Sequence, residues 1–148
     1  MLPLLAGWFE VQWPDYYGAG GRGDAKRDLQ AYANLDGLPY GVVAFHVGAA
    51  CGVAALKGDS IASHAHLQPW AAAGLVRADS RGRGIGAQLL LALEDRARGM
   101  GFSRIYCATN TAERLLLRLR WRLMERIAHD GEVLDLYEKA FFTTQPAA

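Results

Sequence analysis

Sulfur, long apolar runs and excess charge are all scarce in this chain. Two cysteines, Cys51 and Cys107, are too few for a disulfide framework or a thiolate metal cluster. They suit a reducing compartment, each as a small buried apolar side chain. No apolar run reaches the length of about 20 residues that crosses a bilayer. The opening stretch MLPLLAGWFEVQW is apolar but has neither a basic leader nor a small-residue cleavage site. No signal peptide and no membrane partner are therefore expected, and the expected location is cytoplasmic. Lys and Arg number 16 against 15 Asp and Glu, so the net charge of +1 gives no global reason to expect nucleic acid as a partner.

Apolar residues are plentiful. They make up 51% of 148 residues, enough for one domain with a substantial core. Residues 1–142 are read as that domain and 143–148 as a frayed tail. Leu5, Trp8 and Phe9 mark a first helix over residues 2–12, stopped at Pro14. A glycine-rich loop follows, and Asp24 can cap a second helix reaching Asn34. PYGVVAFHV and CGVAALK read as a hairpin joined by Gly48-Ala49-Ala50. After a loop, WAAAGLVR is an apolar strand, Arg83 to Arg98 a helix, SRIYCAT a strand and TAERLLLRL a short helix. WRLMERIAH and EVLDLYEKA close the domain as a hairpin around Asp130-Gly131. There is no internal repeat. The order predicts an α/β (α+β) fold with a mixed sheet flanked by helices.

The densest chemistry lies in LVRADSRGRGIGAQLLLAL, residues 75–93. The first turn of a helix leaves backbone amides unpaired and carries a positive dipole end, a combination that binds phosphate. Gly82, Gly84 and Gly86 let an anion approach those amides, while Arg81 and Arg83 add charge-assisted donors. A diphosphate is the natural guest. A P-loop would need Lys followed by Ser or Thr, and Ala87-Gln88 stands there instead. Gly82, Gly84 and Ala87 match a dinucleotide spacing, but no acid lies near Tyr106-Cys107-Ala108 to hold a ribose.

Arg81-Gly82-Arg83-Gly84-Ile85-Gly86, as Arg-x-x-Gly-x-Gly directly after an apolar strand, resembles the acetyl-coenzyme A signature of the GNAT superfamily of N-acetyltransferases. GFSRIYCATNTAERLLLRLRW looks like that family's next strand and helix, and the resemblance runs over residues 8–140. It implies a mostly antiparallel central sheet that splays between its two middle strands. It also implies acetyl-CoA as co-substrate, no metal, and transfer of acetyl to a primary amine of a small molecule or peptide by direct attack. Leu75, Val76 and Arg77 would pair with the pantetheine arm, the Val76 amide polarising the thioester carbonyl. Arg81, Gly82, Arg83, Gly84, Ile85, Gly86 and Ala87 would seat the pyrophosphate, and Thr109 or Asn110 would touch the arm. Many relatives dimerise, so a homodimer is one implied state.

Two positions depart from the family pattern. Leu116 stands where many relatives carry a general-acid Tyr, and Arg120 where they carry Gly. A thiolate with a pKa of about 8.5 leaves with little protonation help. Arg120 in a left-handed helix end would cost on the order of 1 kcal/mol; otherwise the helix ends differently and a strand starts within residues 117–123. The departure at Leu116 keeps an alternative open, an acyl-CoA-binding sensor or interaction module of the same fold.

An acceptor amine titrates near 10 and must lose a proton before attack. Glu10, Asp15, Asp59, His64 and His66 are candidate bases, and Tyr106 and Ser80 candidate proton donors. His64 and His66 would share one face of an extended segment, but two ligands define no metal site. Trp13, Tyr16, Tyr17 and Trp70 are candidates for the acceptor wall, where aromatic faces suit a cationic amine. Trp8 and Trp121 read as core or interface residues. Arg114, Arg118 and Arg122 fall four apart, but Glu113 and Glu125 interrupt them, so they read as a solvated face.

Overall fold

Leu5, Ala6 and Phe9 fall three and four apart and are buried together on the first helix, α1 (Leu2–Gln12). The computed structural model describes residues 1–34, 36–129 and 131–141. Pro14 does more than stop α1. It opens a one-turn helix, α2 (Pro14–Tyr17), where the sequence pattern predicts only loop. The Asp24 carboxylate then accepts the Arg27 amide at 3.1 Å and starts α3 (Ala25–Tyr32). The hairpin is β1 (Tyr40–His46) and β2 (Ala49–Lys57). Its turn is Val47-Gly48 rather than Gly48-Ala49-Ala50, both residues having positive φ, 51° and 78°. A register shift between Ala44 and Phe45 carries Ala49 and Ala50 into the ladder, which is why the turn is shorter than expected.

β3 (Trp70–Val76), α4 (Ile85–Gly99), β4 (Arg104–Thr109) and α5 (Glu113–Arg118) follow, then β5 (Arg122–His129) and β6 (Glu132–Ala140). α4 starts at Ile85, later than the predicted Arg83, because Gly82 and Gly84 are both left-handed. Arg120 does adopt the left-handed conformation, φ 69°, and α5 ends there rather than running into an early strand. Asp130 of the last turn, and the tail 143–148, lie outside the described residues.

The six strands are ordered β1-β2-β3-β4-β6-β5, all neighbours antiparallel except β3 and β4. Strand alternation sorts the side chains to two faces. Val53, Ala55 and Leu75 pack with Leu5, Phe9 and Leu29 under α1 and α3. Ala54, Leu56, Ala71, Ile105 and Tyr137 pack with Leu89, Leu93, Ala97 and Leu116 under α4 and α5. Leu93 is fully buried, a position worth about 1.5–3 kcal/mol of hydrophobic burial. Glu94 of α4 is buried too. It accepts the Trp121 indole N–H at 3.2 Å and pairs with the Lys139 ammonium at 2.6 Å, which also donates to the Leu119 carbonyl. That pairing fastens α4 to the closing hairpin and makes the buried charge tolerable.

The central strands separate almost as soon as they meet. β3 and β4 pair at Trp70 and Tyr106 alone, with the Tyr106 amide donating to the Pro69 carbonyl at 3.0 Å. Above that row, β3 carries a bulge against β2, and Ala73 within it has φ 54°. The sheet opens as a V toward the C-terminal ends of both strands.

Candidate active site

The mouth of the V is built by the segment after β3. The Arg77 amide donates to the Cys51 carbonyl at 2.8 Å, so by alternation the Val76 N–H points away from β2, into the gap. A 3₁₀ turn over Ala78–Ser80 follows, with the Ser80 side chain buried beneath it. Arg77 pairs with Asp79, and chiefly that hydrogen bond holds the Asp79 carboxyl below the usual range. Gly82 and Gly84, at φ 79° and 78°, bring the chain to the head of α4. Gly84 is the cap residue and no side chain caps the helix. The amides of residues 84–87 are therefore free to converge on an anion. Gly86 has a different task, since a Cβ there would meet Leu115 at 3.3 Å; it lets α4 and α5 approach closely. The Arg81 Nε–H donates to the Val76 carbonyl at 3.1 Å, on the open side of β3.

A cavity of about 570 Å³ runs from this mouth through the sheet. On the α4 and α5 side it is walled by Gly86, Leu89, Leu90, Leu93, Leu115 and Leu116, with Thr109, Asn110, Thr111 and Ala112 at the end of β4. The Thr109 hydroxyl accepts the amides of Thr111 and Ala112 at 3.1 and 3.2 Å, so it fixes the turn into α5. Ala71, Ala72, Ala73, Gly74, Leu75 and Val76 form the floor. Small side chains on both strands of the V leave room for a narrow ligand between them.

On the opposite face the cavity is lined by aromatics. Trp13 comes from the junction of α1 and α2, Tyr16 and Tyr17 from α2, and Tyr32 from α3. Trp13 stands edge-on to the buried Phe9, and Tyr16 edge-on to Tyr17. The Tyr17 hydroxyl donates to the Asp28 carboxylate at 2.7 Å. Burial is the main reason that the Tyr17 phenol is raised, with the Asp28 hydrogen bond adding to it. Burial likewise lifts Tyr32 to about 12. Both phenols stay protonated near neutrality and act as hydrogen-bonding walls. Lys57, Ser60, Glu132 and Leu134 complete this chamber.

The structure thus brings together Trp13, Tyr16, Tyr17, Leu75, Val76, Gly86, Thr109 and Asn110 around one cleft. It does not bring in Trp70. That side chain is fully buried, donates its indole N–H to the Leu67 carbonyl, and packs on Tyr106 at 5.7 Å. Tyr106 is core for the same reason, its phenol raised by burial. Neither Glu10 nor Asp15 lines the cleft; both are exposed, on α1 and α2. Asp59 and His66 are exposed as well. Ser63–His66 is a turn rather than a strand: His64 is bonded by Ser63 at 2.7 Å and by Glu125, and His66 stacks on it. Among the described residues no three His, Cys, Asp or Glu side chains gather to hold a metal. Leu116, in the Tyr position, is buried against the cleft. Cys107 lines it too, its thiol pushed up to about 12 by burial.

Sequence reasoning missed Asp28, Tyr32, Lys57, Ser60 and Glu132. Only one signal pointed toward any of them: Asp28 and Tyr32 lie four apart, on one side of α3.

Comparison with known proteins agrees with this geometry. The model described as the Acetyltransferase (GNAT) family matches residues 5–119. An aminoglycoside 6′-N-acetyltransferase complexed with coenzyme A superposes with a TM-score of 0.76 at 13% identity, covering 96% of this chain and 91% of that one. An aminoglycoside 6′-N-acetyltransferase from Enterococcus faecium gives 0.74 at 13% identity over 96% and 91%. Arabidopsis thaliana Naa50, in complex with the bisubstrate analogue CoA-Ac-MVNAL, gives 0.55 at 20% identity over 68% and 72%. Identities this low carry the fold alone. No curated protein sequence matches the chain.

Proposed function

Because the chain belongs to the GNAT family of acetyltransferases, we propose that it transfers acetyl from acetyl-CoA to a primary amine by direct attack. The observation that carries the reading is the V between β3 and β4, paired at the Trp70–Tyr106 row alone, with the uncapped head of α4 at its mouth. The amides of residues 84–87, with Arg81 and Arg83 beside them, would hold the diphosphate. Acetyl-CoA would supply an acyl group activated as a thioester. The Val76 N–H, pointing into the gap, would donate to the thioester oxygen as charge builds there.

The acceptor would enter from the aromatic chamber. Its ammonium must shed a proton first, and we assign Asp28, acting through the Tyr17 hydroxyl, to hold that positive charge and receive the proton. The neutral nitrogen then forms a C–N bond to the acetyl carbon as the C–S bond breaks, and the sulfur leaves as thiolate. With Leu116 in place of a hydroxyl, the thiolate takes its proton from solvent, as its low basicity permits. Cys107 supports direct attack, since a thiol held near 12 offers almost no thiolate for a covalent acyl-enzyme.

The buried Leu116 also favours a second reading, an acyl-CoA-binding module without turnover. One experiment separates the two: acetyl-CoA with a panel of primary amines, following free thiol. Thiol release that depends on the amine supports the enzyme. Saturable coenzyme A binding with no thiol released by any amine supports the module.

A further inference from the structure

We infer that the acceptor carries a carboxylate beside its amine, and that Lys57 holds that carboxylate. The inference rests on the acetyltransferase reading and narrows it to amino carboxylates. Along β2, Val53, Ala55 and Lys57 point to the same face. Val53 and Ala55 are core beneath α1 and α3. Lys57, next in that row, is half-buried and lines the chamber instead. It pairs across the ladder with Trp70, so it stands at the foot of the V, where β3 and β4 part.

Its ammonium has no hydrogen-bond or ion-pair partner among the described residues. The contrast with Lys139 is informative. That lysine, also largely covered, is neutralised by Glu94 and the Leu119 carbonyl. Glu132 of β6 also lines the cavity but makes no ion pair with Lys57, so this half-buried, unpaired ammonium still favours an anion beside it and disfavours a second cation. Ser60 adds a hydroxyl to the same wall. Tyr17, backed by Asp28, supplies the complementary pole. The chamber is thus anionic on its α2–α3 side and cationic on its β2 side, the arrangement that matches a zwitterion. One lysine, in a chamber that Glu132 also lines, suits the single charge of a carboxylate better than a phosphate dianion.

The test uses the full chain with acetyl-CoA and matched acceptor pairs: phenylalanine against phenethylamine, and leucine against isoamylamine. The readout is the ratio of kcat/KM within each pair. The wild type should favour the amino carboxylate by on the order of ten- to a hundredfold, as a charge-assisted contact gives. Lys57→Met should cut the ratio at least tenfold, mainly through KM of the amino carboxylate. Lys57→Arg should restore it, and Lys57→Glu should invert it. Because each ratio is taken within one preparation, partial misfolding of a variant cancels. A wild-type ratio near one, or a ratio that Lys57→Met does not move, overturns the inference while leaving the acetyltransferase reading intact. Coenzyme A binding with no acceptor of either kind acetylated overturns both.

Discussion

Arg120 stands in a conformation that only glycine adopts freely, and replacing it should stabilise the protein. Its φ is 69°, and α5 closes around it with a paired hydrogen-bond pattern. The Trp121 amide donates to the Leu116 carbonyl at 2.9 Å and the Arg120 amide to the Leu117 carbonyl at 3.0 Å. That pair is the Schellman motif, in which the residue at the Arg120 position is usually glycine. An L side chain there costs about 1–2 kcal/mol. Glycine relieves that strain but loses about 0.4–1 kcal/mol through a freer unfolded chain, leaving a net gain of about 0.5–1 kcal/mol for Arg120→Gly. For 148 residues the unfolding entropy is about 0.3 kcal/mol per kelvin, so Tm should rise by about 2–3 °C. Thermal unfolding followed by circular dichroism measures this. Arg120→Ala is the control, because it removes the exposed guanidinium and keeps the strain; it should not reproduce the gain. An equal rise in both variants, or a fall with glycine, would refute the backbone argument and move the effect to the side chain.

Val47 is a second strained site: with φ 51° in a two-residue turn before Gly48, Val47→Asn should add about 1 kcal/mol, read as a higher Tm. Gly84→Glu puts a carboxylate among the amides proposed to seat a diphosphate, at a position whose Cβ would meet no atom within 4 Å. Calorimetric titration should show coenzyme A affinity lost by about a hundredfold or more, with a Tm fall set by strain of about 1–2 kcal/mol. Unchanged affinity would dismiss the seat. Glu138 is buried between Arg104 and Arg122. Burial works to raise its pKa, but the Arg122 hydrogen bond and both arginine charges win and hold it below the ordinary 4.5. A depressed folded pKa gives stability that is complete above 4.5 and fades as pH falls through the folded value. Glu138→Gln should therefore lower stability by about 1 kcal/mol near neutrality, and the gap from wild type should close in acid. A gap that persists in acid would assign the loss to packing.

What the sequence disclosed and what it hid follow from how local each signal is. The α4 head was legible because its glycines, flanking arginines and following leucine pattern sit within one turn-and-helix unit. Arg120 was legible as a conditional: a left-handed residue was the price of ending α5 where it does. Pro14 was misread because proline both stops one helix and starts another, and chain order alone does not decide between those roles. Trp70 misled because an aromatic near an expected cleft looks like a wall. The one ladder contact between β3 and β4 places it beside Tyr106 in the core. Asp28 and Tyr32 showed only as neighbours four apart on α3, and Lys57 not at all, because their nearness to the cleft depends on how α3 and β2 pack on the sheet, which no spacing in the chain encodes.

The same nonlocal geometry explains why the V is a binding site and not merely a defect in the sheet. Separated strands leave ladder groups unpaired, and a buried amide or carbonyl without a partner costs free energy. The Val76 carbonyl is served by Arg81, while its N–H points into the gap. A carbonyl oxygen has two lone pairs, so Arg81 need not vacate it for a ligand amide to bond there as well. A ligand arm that carries its own amides along β3 would therefore complete the ladder that β4 abandons above Trp70. The anion seat at α4 would fix one end of such an arm, and the Lys57 chamber would receive what it delivers. Binding strength would then come from repeated backbone pairing and the seat, which the small side chains of β3 and the glycines at the head of α4 leave open. Acceptor choice would come from the opposite face, where Tyr17, Asp28 and Lys57 lie. This separation lets the two specificities vary independently, and the Gly84 and Lys57 variants should accordingly perturb different substrates.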